Sequence, residues 1–475
     1  MLKSKKAGRV SPKERWSYGL YFVGQNLFYT LIALNIQTFF TDKGITAAAT
    51  AVVLLVTKIW DTINDPLFGI IVDKLRFKKG RYMPWIRLSL PLIALTALFL
   101  FAMPGGENIS PAIKIAWAIV GYALWDMAYT ICDVPIFALP STMTDDVSER
   151  TSVLSFGRLM ASLGAGAAGL PLAFLQARAG WSAVGILYTF LGVVTMLPLC
   201  FAGKERYIAR PEKDVTLREM ARCLTGNKFL WIFFGALLVG SITTTFPQVM
   251  SLYFARYNLG SQDLAGVLGI VGIVPGLLGT FAVPLLVKRF DKYYLMMASI
   301  LGGLVLYFVR FFVGYGSFTV YAALFAVQTF FMSGYVMLMF MFTPDCVEYG
   351  IYHTGEWSSG VAFAVQTFFA KLSSTVSASV GMFILALMGF QAGENAVQPP
   401  SAMNGIWLCT TLLPAIGLVI AAAILYFYRL RDKDVQVMVR YNSGEITKEE
   451  ADSHLAEKFG PAAVMDNMEI IRSED

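Results

Sequence analysis

The chain has 475 residues, of which 56% are hydrophobic and only 15% are charged, and its mean hydropathy is +0.60. This composition excludes an ordinary soluble protein, in which about a quarter of the residues are charged. Apolar stretches long enough to span the ~30 Å hydrocarbon core recur along the sequence, so we predict an all-α polytopic protein embedded in a lipid bilayer.

The apolar stretches predict about twelve transmembrane helices, separated in the middle by the longest and most charged connection. The spans cover residues 17–41, 47–73, 83–103, 111–139, 152–176, 181–203, 228–255, 262–288, 293–314, 318–343, 357–389 and 403–429. We therefore divide the chain into two pseudo-symmetric six-helix halves, residues 1–203 and residues 228–429. A central loop, residues 204–227, joins them, and a tail follows at residues 430–475. In the tail, ITKEEADSHLAEKFG predicts a short amphipathic helix, which we expect to be solvated.

The basic residues behind the net charge of +6 collect before the first predicted helix, after the second and in the central loop. By the positive-inside rule, both termini and the central loop face the cytoplasm. Membrane orientation therefore accounts for the charge, and we expect no nucleic-acid partner. The five cysteines show neither CxxC nor Cys/His spacing, which argues against a zinc site and a disulfide framework.

The second predicted helix carries a polar stripe formed by Lys58, Asp61, Asn64 and Asp65. At about 100° per residue, these positions fall within one arc of roughly 120°. A carboxylate at the bilayer centre costs on the order of 2.5–3.5 kcal/mol, so two of them a turn apart need partners or a wet cavity. Their hard oxygen atoms suit Na⁺ or H⁺. The alternative is an interhelix salt bridge, and we expect Lys58 to be a counter-charge rather than a ligand.

The connection after this helix reads GIIVDKLRFKKGRYMPW and contains Gly69, Asp73, Arg76, Gly80 and Arg81. It resembles the signature between helices two and three of the major facilitator superfamily. The glycine permits close helix approach, and the aspartate and arginines can form a charge lock that releases when the two halves rock. The alternative is an exposed basic turn.

The fourth predicted helix places Asp126, Thr130 and Asp133 at positions i, i+4 and i+7, so they share one face. Thr130 adds a hydroxyl oxygen to the polar groups of the second helix. We expect the Asp133 carboxylate to accept hydrogen bonds from two sugar hydroxyls, or alternatively to pair with Arg158. Asp126 has three candidate roles, which are substrate binding, proton relay and pairing with Lys58.

Further polar side chains within the predicted helices suit a polyhydroxylated ligand, because amides hydrogen-bond sugar hydroxyls and aromatic rings stack on sugar faces. They are Gln25, Asn26, Tyr29, Arg158, Gln366, Thr367 and Lys371. Two repeated halves place such a site at the midplane between them. Arg310 lies near the outer end of the ninth helix, where we expect it to snorkel.

Three motifs, KIWDTINDPLFGIIVDK, YTICDVPIFALPSTMTDDVSERT and QTFFAKL, lie in helices two, four and eleven. Together they resemble the glycoside–pentoside–hexuronide:cation symporters, over essentially the whole chain. The resemblance implies the major facilitator fold and a Na⁺-capable site, with H⁺ or Li⁺ as alternatives, at Asp61, Asn64, Asp65 and Thr130. It also implies a sugar site at Asp133, Arg158, Gln366, Thr367 and Lys371.

The chain departs from melibiose permease, the best-known member of that family, in the sugar site. Gln25 and Asn26 stand where the permease has a lysine–aspartate pair, Phe137 stands where it has a tryptophan, and Asp126 is an addition. Losing a carboxylate removes an acceptor for sugar hydroxyls and a repulsion against anionic substrates. These changes weaken the case for an α-galactoside and leave a β-glycoside, a pentoside or a hexuronide.

We therefore predict a secondary transporter of the cell membrane that couples inward Na⁺ or H⁺ movement to sugar uptake by alternating access. We expect it to function as a monomer, with no cofactor beyond the coupling ion. One alternative is a sodium-dependent carrier of a lysolipid or another amphipathic ligand, and another is a sugar sensor. An integral-membrane transferase is disfavoured, because the sequence has no His cluster, phosphate-cradling Gly loop or sizeable soluble domain.

Overall fold

The structure is a computed structural model that describes residues 9–74, 77, 80–104, 109–144, 146–206, 227–354, 359–393 and 396–462. Within these residues the chain is helical, and an isolated β-bridge joins Phe77 to Gly80. The described helices include nine that are long and apolar enough to cross a membrane. The predicted all-α membrane architecture is confirmed, whereas the number twelve stays a prediction.

Up to Arg206, the described residues form seven helices and one π-helical turn. They are α1 (Pro12–Phe28), the π turn (Tyr29–Ala33), α2 (Ile36–Asp42), α3 (Ala47–Lys74), α4 (Met83–Phe101), α5 (Pro111–Ala138), α6 (Pro140–Met143) and α7 (Val147–Ala202). The predicted helices at 152–176 and 181–203 are the two arms of α7. They join at Gly180, whose φ of 74° lies in the left-handed region that glycine adopts without strain.

From Asn227 onward, the described residues form ten helices and a second π-helical turn. They are α8 (Lys228–Val249), α9 (Ser251–Tyr253), the π turn (Phe254–Asn258), α10 (Asp263–Leu286), α11 (Lys292–Val313), α12 (Phe318–Thr354), α13 (Ser359–Leu387), α14 (Pro400–Thr410), α15 (Leu412–Tyr426), α16 (Asp432–Asn442) and α17 (Lys448–Phe459).

The chain divides into two compact units, and the helices from Asn227 onward contribute to both. The first unit comprises Met1–Glu212, Gln248–Ile270 and Ala378–Trp407, and the second comprises Lys213–Pro247, Val271–Ser377 and Leu408–Asp475. The division at residues 203, 227 and 429 stays a prediction of the sequence.

The first unit is organised around the packing of α1 against α7. The two backbones approach so closely that a Cβ atom on Gly164 would lie 2.7 Å from the Cα atom of Val23. At the start of α1, Ser11 accepts a hydrogen bond from the Glu14 backbone N–H, and the Glu14 carboxylate accepts from the Ser11 N–H in return. Burial works to raise the pKa of Glu14, but hydrogen bonds from Arg206 and Ser11 outweigh it and hold that pKa below its ordinary value.

The predicted helix in the tail is confirmed as α17, but the expectation of a solvated tail is wrong. Leu455 is 1% exposed, and the Phe459 ring packs 5.7 Å from the ring of Phe229 and 6.0 Å from that of Tyr349. The apolar face of α17 therefore belongs to the core of the second unit, since burying it there removes it from water.

Arg310 does not snorkel, because its side chain is only 2% exposed. Its guanidinium carbon lies 4.4 Å from the centroid of the Tyr321 ring, and it donates hydrogen bonds to Gln328 and to the Tyr321 hydroxyl. These partners stabilise the charge inside the second unit, so it need not reach an interface.

Candidate cation and substrate site

A single ammonium group lies against two carboxylates from different helices of the first unit. Lys58 Nζ is 3.2 Å from Asp61 Oδ2, one turn further along α3, and 3.8 Å from Asp126 Oδ1 on α5. The three side chains are 21%, 14% and 6% exposed. We call them the Lys58 cluster. Lys58 thus provides the predicted counter-charge, and it pairs both within its own helix and across to α5.

A pair of hydrogen bonds continues this contact between α3 and α5. The Asn64 side-chain amide donates to Thr130 Oγ1 at 3.0 Å, and the Thr130 hydroxyl donates to the backbone carbonyl of Asp126 at 3.1 Å. Asn64 and Thr130 are 8% and 3% exposed. Two predicted cation ligands are therefore in direct contact, while the side chain of Asp65 lies outside the described part of the structure.

A second group of polar side chains lies further along α5, around Asp133. Gln25 of α1 is 2% exposed, and its amide donates to Asp133 Oδ1 at 2.5 Å. The amide of Asn26 instead donates to the Phe22 carbonyl within α1, at 2.9 Å. Of the two amides predicted in this helix, Gln25 is therefore the one that contacts Asp133, the residue predicted to bind the sugar.

A guanidinium and aromatic rings extend this second group. The Arg158 guanidinium carbon lies 4.6 Å from the centroid of the Phe137 ring, which packs edge-on against Phe22 at 5.3 Å. The ring of Tyr29 lies 5.9 Å from that of Tyr129. A carboxylate, an amide, a guanidinium and apolar ring faces are the groups that hold hydroxylated or carboxylated sugars.

The remaining predicted substrate residues lie on α13 in the second unit. Gln366 is described and is 6% exposed, whereas the side chains of Thr367 and Lys371 lie outside the described part of the structure. Their predicted contribution to the sugar site stays a prediction.

The predicted gating loop is described in part. Arg76 and the side chain of Asp73 fall outside the described residues, as do the surroundings of Gly69 itself. Gly80 adopts a φ of 120°, and a Cβ atom there would lie 2.5 Å from Glu205 Oε1. The close approach of this carboxylate therefore requires glycine at position 80.

The sequence interpretation did not identify Glu205, although it stands as an acidic residue between Lys204 and Arg206 directly after α7. Its carboxylate accepts hydrogen bonds from the backbone N–H groups of Arg81, Tyr82 and Met83, at 2.8, 2.9 and 2.6 Å. The carboxylate thus satisfies the N–H groups at the start of α4, where the helix dipole also favours negative charge.

A second ion pair in the first unit was also missed. Arg256 donates to both oxygens of Asp42, at 2.6 and 3.1 Å, and Trp181 Nε1 donates to Asp42 Oδ2 at 2.7 Å. Arg256 Nε donates to the side-chain oxygen of Gln262 at 2.9 Å. We call these four residues the Arg256 cluster. Its Arg256–Asp42 ion pair joins positions 214 residues apart, which no local pattern reveals.

The chain is similar to known transport proteins over most of its length. The family model described as MFS/sugar transport protein matches residues 17–432. An uncharacterized symporter of Bacillus subtilis is 28% identical, over 90% of this chain and 94% of its own. The isoprimeverose transporter of Lactiplantibacillus pentosus is 26% identical, over 88% of each chain. A glucuronide carrier protein homologue of Escherichia coli is 26% identical, over 89% and 93%.

Among solved structures, the chain is similar to a bacterial homologue of the human lysosomal transporter Spinster. The TM-score is 0.67 at 12% sequence identity, and the match covers 88% of this chain and 97% of the other. This likeness shows the fold.

Proposed function

The chain belongs to the MFS/sugar transport protein family, and from this membership we propose that it is a symporter coupling inward Na⁺ or H⁺ movement to sugar uptake by alternating access. The protein is a multi-pass membrane transporter and not an enzyme. Relatives described as carriers of isoprimeverose and of glucuronides support a sugar as the cargo.

One observation carries the proposed coupling. Helix α5 contacts Asn64 through Thr130 and, three residues further, contacts Gln25 through Asp133. A movement of α5 caused by cation binding at Thr130 therefore also moves Asp133, the residue proposed to bind the sugar. One helix joins the two sites.

We assign Na⁺ to Asp61, Asn64, Asp65 and Thr130, whose carboxylate, amide and hydroxyl oxygens are the hard donors that this ion prefers. The bound ion neutralises carboxylate charge and draws α3 toward α5. Because Asp133 moves with α5, cation binding strengthens sugar binding, and linkage requires the converse. Each inward charge contributes ~2.3 kcal/mol per 100 mV of membrane potential.

We assign the sugar to Gln25, Asp133, Phe137 and Arg158 of the first unit, and the family resemblance adds Gln366, Thr367 and Lys371 as further candidates. A glycoside, a pentoside or a hexuronide fits, because Asp133 accepts from hydroxyls and the Arg158 guanidinium can pair with a sugar carboxylate. The transporter acts as a monomer in the cell membrane, with both termini in the cytoplasm, as the distribution of basic residues favours.

The test is uptake of labelled glycosides, pentosides and glucuronides into proteoliposomes under a Na⁺ or an H⁺ gradient imposed separately. We expect one sugar to accumulate with only one of the gradients. Asp133→Asn should abolish this accumulation and leave cation binding within twofold, whereas the matched control Asp263→Asn, at a carboxylate paired with Arg178, should accumulate normally.

Two outcomes would contradict the proposal. If the protein transports a labelled lysolipid but no glycoside, it is a carrier of an amphipathic ligand and not of a sugar. Saturable sugar binding without flux under either gradient would indicate a sensor.

A further inference from the structure

We infer that Lys58 is a tethered cation that competes with Na⁺ for Asp61, and that Asp126 is the second carboxylate to which it withdraws when the ion binds. This role rests on the proposed cation coupling. Of the three roles considered for Asp126, it selects pairing with Lys58 and makes that pairing a positioning function.

The two distances support an exchange of partners. At 3.2 Å from Asp61, the Lys58 ammonium makes a hydrogen bond, whereas at 3.8 Å from Asp126 it is near enough for an ion pair but beyond hydrogen-bond reach. A charge-assisted hydrogen bond is about 2.7–2.9 Å long, so a shift of about 1 Å would engage Asp126 fully. The four-carbon lysine stem accommodates such a shift by rotamer changes alone.

The surroundings favour an ammonium at both ends of this shift. Lys58 Nζ lies 5.9 Å from the centroid of the Tyr122 ring, which stands one turn before Asp126 on α5. The ring face and the two carboxylates give the cation attractive partners throughout the movement. No proton transfer is involved, because Lys58 stays an ammonium in both positions.

The exchange links ion binding to α5. While the ammonium holds Asp61, it occupies one predicted Na⁺ ligand and repels an incoming cation. When it withdraws, Asp61 becomes available and the ion pair with Asp126 shortens. The Thr130 hydroxyl is bonded to the Asp126 carbonyl, so the partner of Lys58 and a predicted Na⁺ ligand occupy successive turns of one helix.

A double-mutant cycle tests this, read out as radiolabelled Na⁺ binding to the purified full-length protein in detergent. In Asp126→Asn the ammonium keeps Asp61 as its carboxylate partner in the cluster, so we expect the Kd for Na⁺ to rise about tenfold. In the Lys58→Gln background no ammonium competes, and Asp126→Asn should change the Kd less than twofold. Lys114→Gln, which removes a buried lysine from the outer part of the same α5, should leave the Kd unchanged.

Lys58→Arg provides a second arm should Lys58→Gln fail to fold. A guanidinium can bridge both carboxylates at once and resists withdrawal, so we expect the Kd for Na⁺ to rise more than tenfold with the fold retained. An unchanged Kd in this variant would overturn the inference.

The remaining outcomes separate this inference from the proposed function. A tenfold loss on Asp126→Asn in both backgrounds makes Asp126 a direct ligand and overturns the exchange alone, whatever sugar is transported. A wild-type protein that binds no Na⁺ overturns the exchange and removes Na⁺ from the proposed function, whereas sugar uptake driven by H⁺ would survive that result.

Discussion

Asp42 and Asp61 are both carboxylates paired with a cation inside the first compact unit, but their surroundings differ. Asp42 is 3% exposed and receives both arms of the Arg256 guanidinium and the indole N–H of Trp181. Asp61 is 14% exposed and shares one ammonium with Asp126. Asp42, with several hydrogen-bond donors, is suited to holding distant segments of the chain together. Asp61, which shares its counter-charge with Asp126, is suited to exchanging partners.

This difference separates stability from binding. Removing Arg256 leaves the buried Asp42 carboxylate without its guanidinium, so the cost falls on folding. Removing either carboxylate from the Lys58 cluster leaves the ammonium its other carboxylate, so we expect the cost to fall on binding of the proposed cation. Four substitutions test this separation: two in the Arg256 cluster, one in the Lys58 cluster, and one at Thr130, which is bonded to the Asp126 carbonyl.

Arg256→Ala should have the largest effect, lowering the free energy of unfolding by about 3–5 kcal/mol because Asp42 is left buried without its guanidinium. Denaturant or thermal unfolding in detergent measures it. The matched control is Arg178→Ala, since Arg178 also contacts Asp263 through two nitrogens but is 65% exposed. That variant should lose at most about 1 kcal/mol. Equal losses in the two variants would remove the distinction between a buried and an exposed pair.

Asp61→Asn should weaken Na⁺ binding about 100-fold, because the ion loses a charged ligand worth about 2–3 kcal/mol. The free energy of unfolding should change by less than about 1 kcal/mol, since Lys58 retains Asp126. Direct Na⁺ binding and unfolding are measured on the same preparation, with Asp263→Asn as the control carboxylate. A large loss of stability with unchanged Na⁺ affinity would reverse the roles given to the two clusters.

Trp181→Phe should lower the free energy of unfolding by about 1.5 kcal/mol. The substitution removes the N–H donated to Asp42 and keeps the ring that packs against Phe39. Trp117→Phe is the comparison, because that indole donates at 3.0 Å to the neutral carbonyl of Phe99. The loss should be smaller there, since a hydrogen bond to an uncharged acceptor is weaker. If Trp117→Phe costs as much as Trp181→Phe, the charge on Asp42 adds nothing to the bond.

Sequence patterns predicted the Lys58 cluster better than the Arg256 cluster for a physical reason. The helices predicted at 47–73 and 111–139 are found at Ala47–Lys74 and Pro111–Ala138. Hydropathy and helical periodicity are local properties, and a charged stripe in an apolar helix is conspicuous because burying it is costly. The same local rule placed Thr130 and Asp133 on one face of α5, but it did not predict that Asp133 accepts from Gln25.

The features that the sequence did not predict depend on contacts between distant segments of the chain. Asp42 lies at the end of a predicted span, where a charged residue is unremarkable, and its partner Arg256 is 214 positions away. Arg310 was expected at an interface because the sequence does not show which side chains surround it. One of them, Tyr321, comes from the following helix and reaches Arg310 only through packing. The tail was expected to be solvated because nothing local marks the surface that buries Leu455.

The smallest predicted effect is that of Thr130→Ala, which should weaken Na⁺ binding about fivefold, equivalent to about 1 kcal/mol. The variant loses the hydroxyl that accepts from Asn64 and that supplies one of the proposed Na⁺ oxygens. Thr130→Ser keeps the hydroxyl and should restore the affinity. Thr96→Ala is the matched control, because the Thr96 hydroxyl donates to carbonyls of its own helix. Failure of Thr130→Ser to restore binding would show that the methyl group and its packing, rather than the oxygen, support the cation site.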